Sequence, residues 1–113
     1  MTDPSLLVRQ LQALANPVRL WLVARLHSEG AHYVSELARA AGISRPLLKM
    51  HLKKLEEAGL VTSEIGTADN GKSANFFRAK PFDLNLTPET IARTHPAPAG
   101  SISGNNGDNN VGR

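Results

Sequence analysis

From Leu6 to Leu55 the apolar positions recur at helical spacing, and from Leu60 to Ala79 they fall in two short runs of strand composition. Asp3 and Pro4 form a helix start, an acceptor followed by a residue whose missing amide costs nothing at the first helical position. The helix begun there is predicted to run to about Ala15, with Leu7, Leu11 and Leu14 on one face and Leu6 and Val8 widening it to both sides. Asn16 and Pro17 repeat the start signal. Val18, Leu20, Trp21, Leu22, Val23 and Leu26 then surround a second helix, which is expected at the buried centre and to end near Gly30.

Val34 to Leu60 reads VSELARAAGISRPLLKMHLKKLEEAGL, two short helical patterns joined at a glycine. Ser35 is expected to cap the first, Gly42 to supply a left-handed turn, and Ser44 to cap the second. At 100° per residue Leu48, Leu52 and Leu55 share the inner face of that second helix, and Pro46, Lys49, Met50 and Lys53 point outward. The runs Leu60 to Ile65 and Ala74 to Ala79 predict a β-hairpin, with Gly66, Asp69, Asn70 and Gly71 between them. Thr87 and Pro88 open a last short helix through about Thr94, which Pro96 stops. Two helices, a helix-turn-helix, a hairpin and a helix make the fold class mostly α with a small β-hairpin (α+β), the order of a winged helix-turn-helix. Residues 1–95 are expected to form this domain. Residues 96–113 have too little apolar surface to offset their ordering entropy and are expected to be a disordered tail.

Charge sharpens the picture at the helix-turn-helix. From Leu37 through Leu55 there is no acid, while Arg39, Arg45, Lys49, Lys53 and Lys54 are all basic. A merely solvated helix face mixes both signs, so this stretch points to the phosphates of a nucleic acid. The net charge of +3 is compatible with that partner. With 41% apolar residues the chain reads as one globular domain, with no apolar run long enough for a bilayer and no signal peptide, so a cytoplasmic location and no membrane are expected. The absence of cysteine excludes disulfides and thiolate ligation. No Ser, His and acid set, phosphate-cradling glycine loop or ligand cluster is present, so neither an enzyme nor a cofactor is expected.

The segments ALANPVRLWLVARL, VSELARAAGISRPLLKMHLKKLEEAGLV and NFFRA together resemble the ArsR-type transcriptional repressors over roughly residues 6 to 80. The resemblance implies a homodimer that binds a double-stranded DNA operator and releases it when an effector, commonly a metal ion, arrives. The family's metal-sensing members carry a Cys-Val-Cys run before the first reader helix, where this chain has Tyr33, Val34 and Ser35. The family's C-terminal site corresponds here to Asp83, Glu89 and His95, at no helical spacing. His27, His32, His51 and His95 are scattered, so no metal site is expected and the effector stays unassigned.

A reader helix over residues 44–58 is about 21 Å long and fits a major groove roughly 12 Å wide. Ser44 is placed to offer its amide to a phosphate, and Arg45 to present parallel donors to a guanine edge or to reach a phosphate. Lys49, Lys53 and Lys54 are expected to position the helix on the backbone, and Lys72 to do so from the wing or to be a solvated turn lysine. Leu47 and Met50 are unusual on such a face. They either pack against thymine methyls or, for Leu47, lean onto the domain's own core. The breadth of the first helix's apolar face predicts a twofold dimer, with Leu7 and Leu11 serving mainly the core and Leu6, joined by Leu84, Leu86 and Ile91, serving the interface. The alternative function is a winged-helix protein-protein interaction module without DNA binding.

Overall fold

The structure is a computed structural model and describes residues 4–95. The tail expected beyond Pro96, and Asp3 of the first helix start, lie outside the described residues. In chain order the elements are α1 (Pro4–Leu14), α2 (Pro17–Glu29), β1 (His32–Tyr33), α3 (Val34–Ala41), α4 (Arg45–Glu57), β2 (Val61–Thr67), β3 (Ser73–Ala79) and α5 (Pro88–Thr94). Ser5 to Asp83 form one compact unit, and α5 belongs to a second. No described helix is long and apolar enough to cross a membrane.

Local signals act as their chemistry requires at most boundaries. Asn16 Oδ1 accepts from the amides of Val18 and Arg19 at 2.9 and 3.2 Å, starting α2. Gly42 closes α3 in the left-handed region, φ 71° and ψ 31°, and its amide donates back to Ala38 O and Arg39 O. Ser44 Oγ accepts from the Leu47 amide at 3.2 Å, starting α4. Thr87 and Thr90 form a reciprocal capping box at the start of α5.

Ser35 is not a cap. Tyr33 holds that position with an extended backbone and no side-chain cap bond, and Ser35 lies inside the helix. The reason is a strand that the sequence pattern does not announce: β1 pairs antiparallel with β3, His32 opposite Phe77 and Tyr33 opposite Phe76. That pairing keeps the chain extended until Val34. The sheet is three-stranded, β1-β3-β2, and the hairpin strands run further toward the tip than expected, with Thr67 opposite Ser73.

The core gathers Leu22 and Leu26 of α2, Leu37 and Ala38 of α3, Leu48, Leu52 and Leu55 of α4, and Leu60, Val61 and Phe77 around the hairpin. Each fully buried leucine contributes about 1.5 to 3 kcal/mol of transfer free energy. α2 is less central than its composition suggests. Leu22 and Leu26 are buried against the core, but Leu20 is exposed, because the helix meets α4 and β3 on one side only. α1 also departs from expectation. Its buried residue is Ala13, with Leu14 packed beside it, whereas Leu11 is 37% exposed and Val8 46%. The face turned inward is rotated away from the centre of the leucine stripe: Leu6 and Leu7 are half-buried, and Val8 and Leu11 are left to solvent.

His51 is the one buried polar side chain among the described residues, and it lies on the inner side of α4. Arg19 of α2 meets it, Nη1 to Nδ1 at 3.0 Å, while Arg19 Nε donates to Ala13 O at 2.7 Å. A guanidinium only donates, so His51 Nδ1 accepts and the ring proton sits on Nε2. One arginine thus ties the end of α1 to α2 and α4. Burial, and then the Arg19 charge, hold the His51 pKa below its ordinary value of 6.5.

Replacing Gly42 by alanine forces an L-residue into the left-handed region and should cost about 1 to 2 kcal/mol, read as a lower urea midpoint. The unfolded chain protonates His51 near the ordinary value and the native protein only at lower pH, so acidification through that window favours unfolding. The stabilisation is complete above the window and is lost as pH falls through it. His51→Gln, which keeps an acceptor for Arg19, should therefore flatten the fall in urea midpoint between neutral and mildly acidic pH relative to wild type. Equal slopes for the two proteins would show that His51 does not contribute.

Candidate nucleic-acid interface

Burial of Leu48, Leu52 and Leu55 fixes the rotation of α4, and everything else on the helix follows from it. Ser44, Arg45, Pro46, Lys49 and Lys53 are exposed, and Met50 is 39% exposed among them. Five of the expected site residues, Ser44, Arg45, Lys49, Met50 and Lys53, thus share one solvent-facing surface. With Pro at the second helical position and no acid in the first turn, the amino end of α4 presents its free amides and positive dipole end without a competing carboxylate.

Leu47 and Lys54 sit apart from that surface, on the flank that carries His51 and Ala58 at spacings of four, three and four residues. Leu47 is 42% exposed, so it is a shoulder residue and not part of the core. Lys54 is exposed and lines a cleft of about 310 Å³ shared with Arg9, Ala13, Arg19, Glu57 and Ala58. On the opposite flank Glu56 Oε2 accepts from Ser63 Oγ at 3.0 Å, which pins β2 beside the end of α4.

The wing tip is closed by the Ala68 amide on Lys72 O and the Gly71 amide on Ala68 O, both at 2.8 Å. Asn70 Oδ1 accepts from the Lys72 amide at 3.0 Å, and the Lys72 side chain is exposed. Below the tip the Phe76 ring lies over Gly66, where any Cβ would come within 2.9 Å of it, and Tyr33 meets Phe76 edge-on at 5.2 Å. Tyr33 therefore braces the wing at the place where the family's metal sensors carry a thiolate. Partial burial, with the Glu36 and Asp69 carboxylates, raises its hydroxyl pKa above the ordinary value against an opposing effect of Arg39. Val34, beside it, packs on the core. Among the described residues no three acidic or imidazole side chains gather as metal ligands.

Of the residues expected at a dimer contact, Leu6 and Leu84 are half-buried and Leu86 and Ile91 exposed. Sequence reasoning passed over Arg19 and Arg9, and it counted His51 only among the scattered histidines, whereas the structure buries it. Only His51 left a signal, since the same helical wheel that turns Leu48 and Leu55 inward places it beside them.

A family model described as a helix-turn-helix domain matches residues 14–64. An uncharacterized HTH-type transcriptional regulator of Methanocaldococcus jannaschii is 31% identical over 86 residues, 76% of this chain and 88% of that protein. The transcriptional repressor BigR of Xylella fastidiosa is similar in structure, with a TM-score of 0.54 at 34% identity over 66% of this chain and 67% of its own. A homodimeric winged helix-turn-helix DNA-binding domain of Mycobacterium bovis, reported as a possible ArsR-family transcriptional regulator, gives a TM-score of 0.58 at 25% identity, over 79% of this chain and 70% of that one. Element order, the seating of α4 and these relatives agree, and the chain belongs to the ArsR-type winged helix-turn-helix transcriptional regulators.

Proposed function

We propose that the protein is a transcriptional repressor that acts in the cytoplasm as a homodimer on a double-stranded DNA operator, with α4 in the major groove and the hairpin against the flanking backbone. The observation that carries this reading is the solvent face of α4, where Arg45, Lys49 and Lys53 are all exposed and no acid intervenes between Leu37 and Leu55. Lys49 and Lys53 meet phosphates, and Lys54 adds a contact at the edge of that face. Ser44 offers its amide to a phosphate at the positive end of the helix. Arg45 has the two parallel donors that distinguish guanine, a pairing worth about 1 to 3 kcal/mol. Met50, and Leu47 from its shoulder, meet thymine methyls, while Lys72 follows the minor-groove phosphates from the wing. Catalysis has no part in this reading, and no metal is assigned to it.

Dimerisation is supported by α1. A stripe whose Val8 and Leu11 remain in water is expected to be covered by a second copy, together with Leu6. In the second compact unit Leu84, Leu86 and Ile91 are the apolar residues proposed for the same role. A protein-binding module is the second reading, favoured by the exposure of Leu47 and Met50.

Duplex affinity measured across salt concentrations separates the two readings. For the wild type it should fall steeply as salt rises, and Lys49→Ala and Lys53→Ala should each lower the slope by about 1. Affinity indifferent to salt and to both substitutions would point to a protein partner instead. Sedimentation tests the dimer: the wild type should be dimeric and Leu11→Asp largely monomeric, since the charge is placed at the interface twice. A monomeric wild type contradicts the assignment.

A further inference from the structure

The cleft beside the reader helix gathers three cations: Arg19 also anchors α1, α2 and α4, Lys54 also borders the solvent face of α4, and Arg9 has neither role. Its lining holds the buried Ala13 and Ala58, the cations Arg9, Arg19 and Lys54, and one acid, Glu57. Arg19 is fixed in place by its bonds to Ala13 O and His51 Nδ1, and among the described residues nothing partners its Nη2. A preorganised guanidinium loses less entropy on meeting an oxyanion than a free surface lysine does. Residues at the carboxyl ends of α1 and α4, Ala13 and Glu57, are part of the lining, and each helix end adds roughly half a negative charge. Three cations, less one acid and two helix ends, leave roughly one net positive charge. At about 310 Å³ the cleft is at the lower end of the volumes that hold small metabolites.

From this we infer that the cleft binds a small organic anion through a single carboxylate or phosphate group, held by Arg9, Arg19 and Lys54. Glu57 and the two helix ends limit the charge it accepts. The binding does not depend on the proposed function. Its consequence does: because Lys54 and the Arg19 bridge to His51 belong to or touch α4, an occupied cleft draws a cation away from the DNA backbone and acts as an effector site.

The test is a titration of the full chain by two-dimensional amide NMR at constant ionic strength, with acetate in one arm and inorganic phosphate in the other. The arm that saturates identifies the oxyanion. Shifts should saturate at Gln12, Ala13, Ala58 and the Arg19 Nε–H. Arg9→Gln should weaken binding by about tenfold, the factor carried by one charge-assisted hydrogen bond, and Glu57→Gln should tighten it. Lys49→Gln should leave it unchanged. Shifts that never saturate in either arm, or that weaken equally in Lys49→Gln, would overturn the site as a general response to positive charge. Duplex affinity of Arg9→Gln without anion should match wild type, and the anion should lower it for both proteins, with the midpoint about tenfold higher in Arg9→Gln. An anion that fills the cleft without changing duplex affinity overturns the effector role. A wild type that binds no duplex under any condition tells against the proposed function and leaves the cleft standing.

Discussion

Leu48, Leu52 and Leu55 leave water together only if α4 turns one fixed face to α2, α3 and β2. The cost of exposing even one of them, about 1.5 to 3 kcal/mol, is large against the stability of a small domain. The rotation of the helix is therefore settled by its apolar side, and its charged side has no freedom of its own. Arg45, Lys49 and Lys53 face solvent as a consequence of where the leucines go. Gly42 and Ser44 set where that helix begins, and Arg19 with His51 adds a directional bond to a seat that hydrophobic burial alone would leave free to slide.

Much of this was legible in the sequence, and for physical reasons. Caps and turns depend on one or two residues, so Asn16, Gly42, Ser44 and Thr87 were readable directly, and helical periodicity placed the leucines of α4. What was not legible depends on partners distant in the chain. Two residues, His32 and Tyr33, show no alternation, and only pairing with β3 makes them a strand; that pairing in turn displaced the cap expected at Ser35. Composition made α2 the centre, but burial depends on which neighbours arrive, and none covers Leu20. The bond between Arg19 and His51 joins residues 32 apart, beyond the reach of any local rule.

The stripe on α1 shows the same division between composition and context. Leu7, Leu11 and Leu14 predict a core-facing helix, yet the side that packs is defined by Ala13 and Leu14, and Val8 and Leu11 are left outside. A stripe wider than its own domain covers is what a second subunit would require. The Mycobacterium bovis relative, of the same fold, is homodimeric.

Under the proposed function the solvent face of α4 reads base edges, with Arg45 as the discriminating residue. Selection of bound duplexes from a random library, carried out in parallel for the wild type and Arg45→Lys, tests it most directly. The wild type should enrich a palindrome with half-sites about one helical turn apart, and Arg45→Lys should still bind but lose its preference at one guanine in each half-site. Enrichment of the same sequence by both proteins, or of none by the wild type, would contradict it.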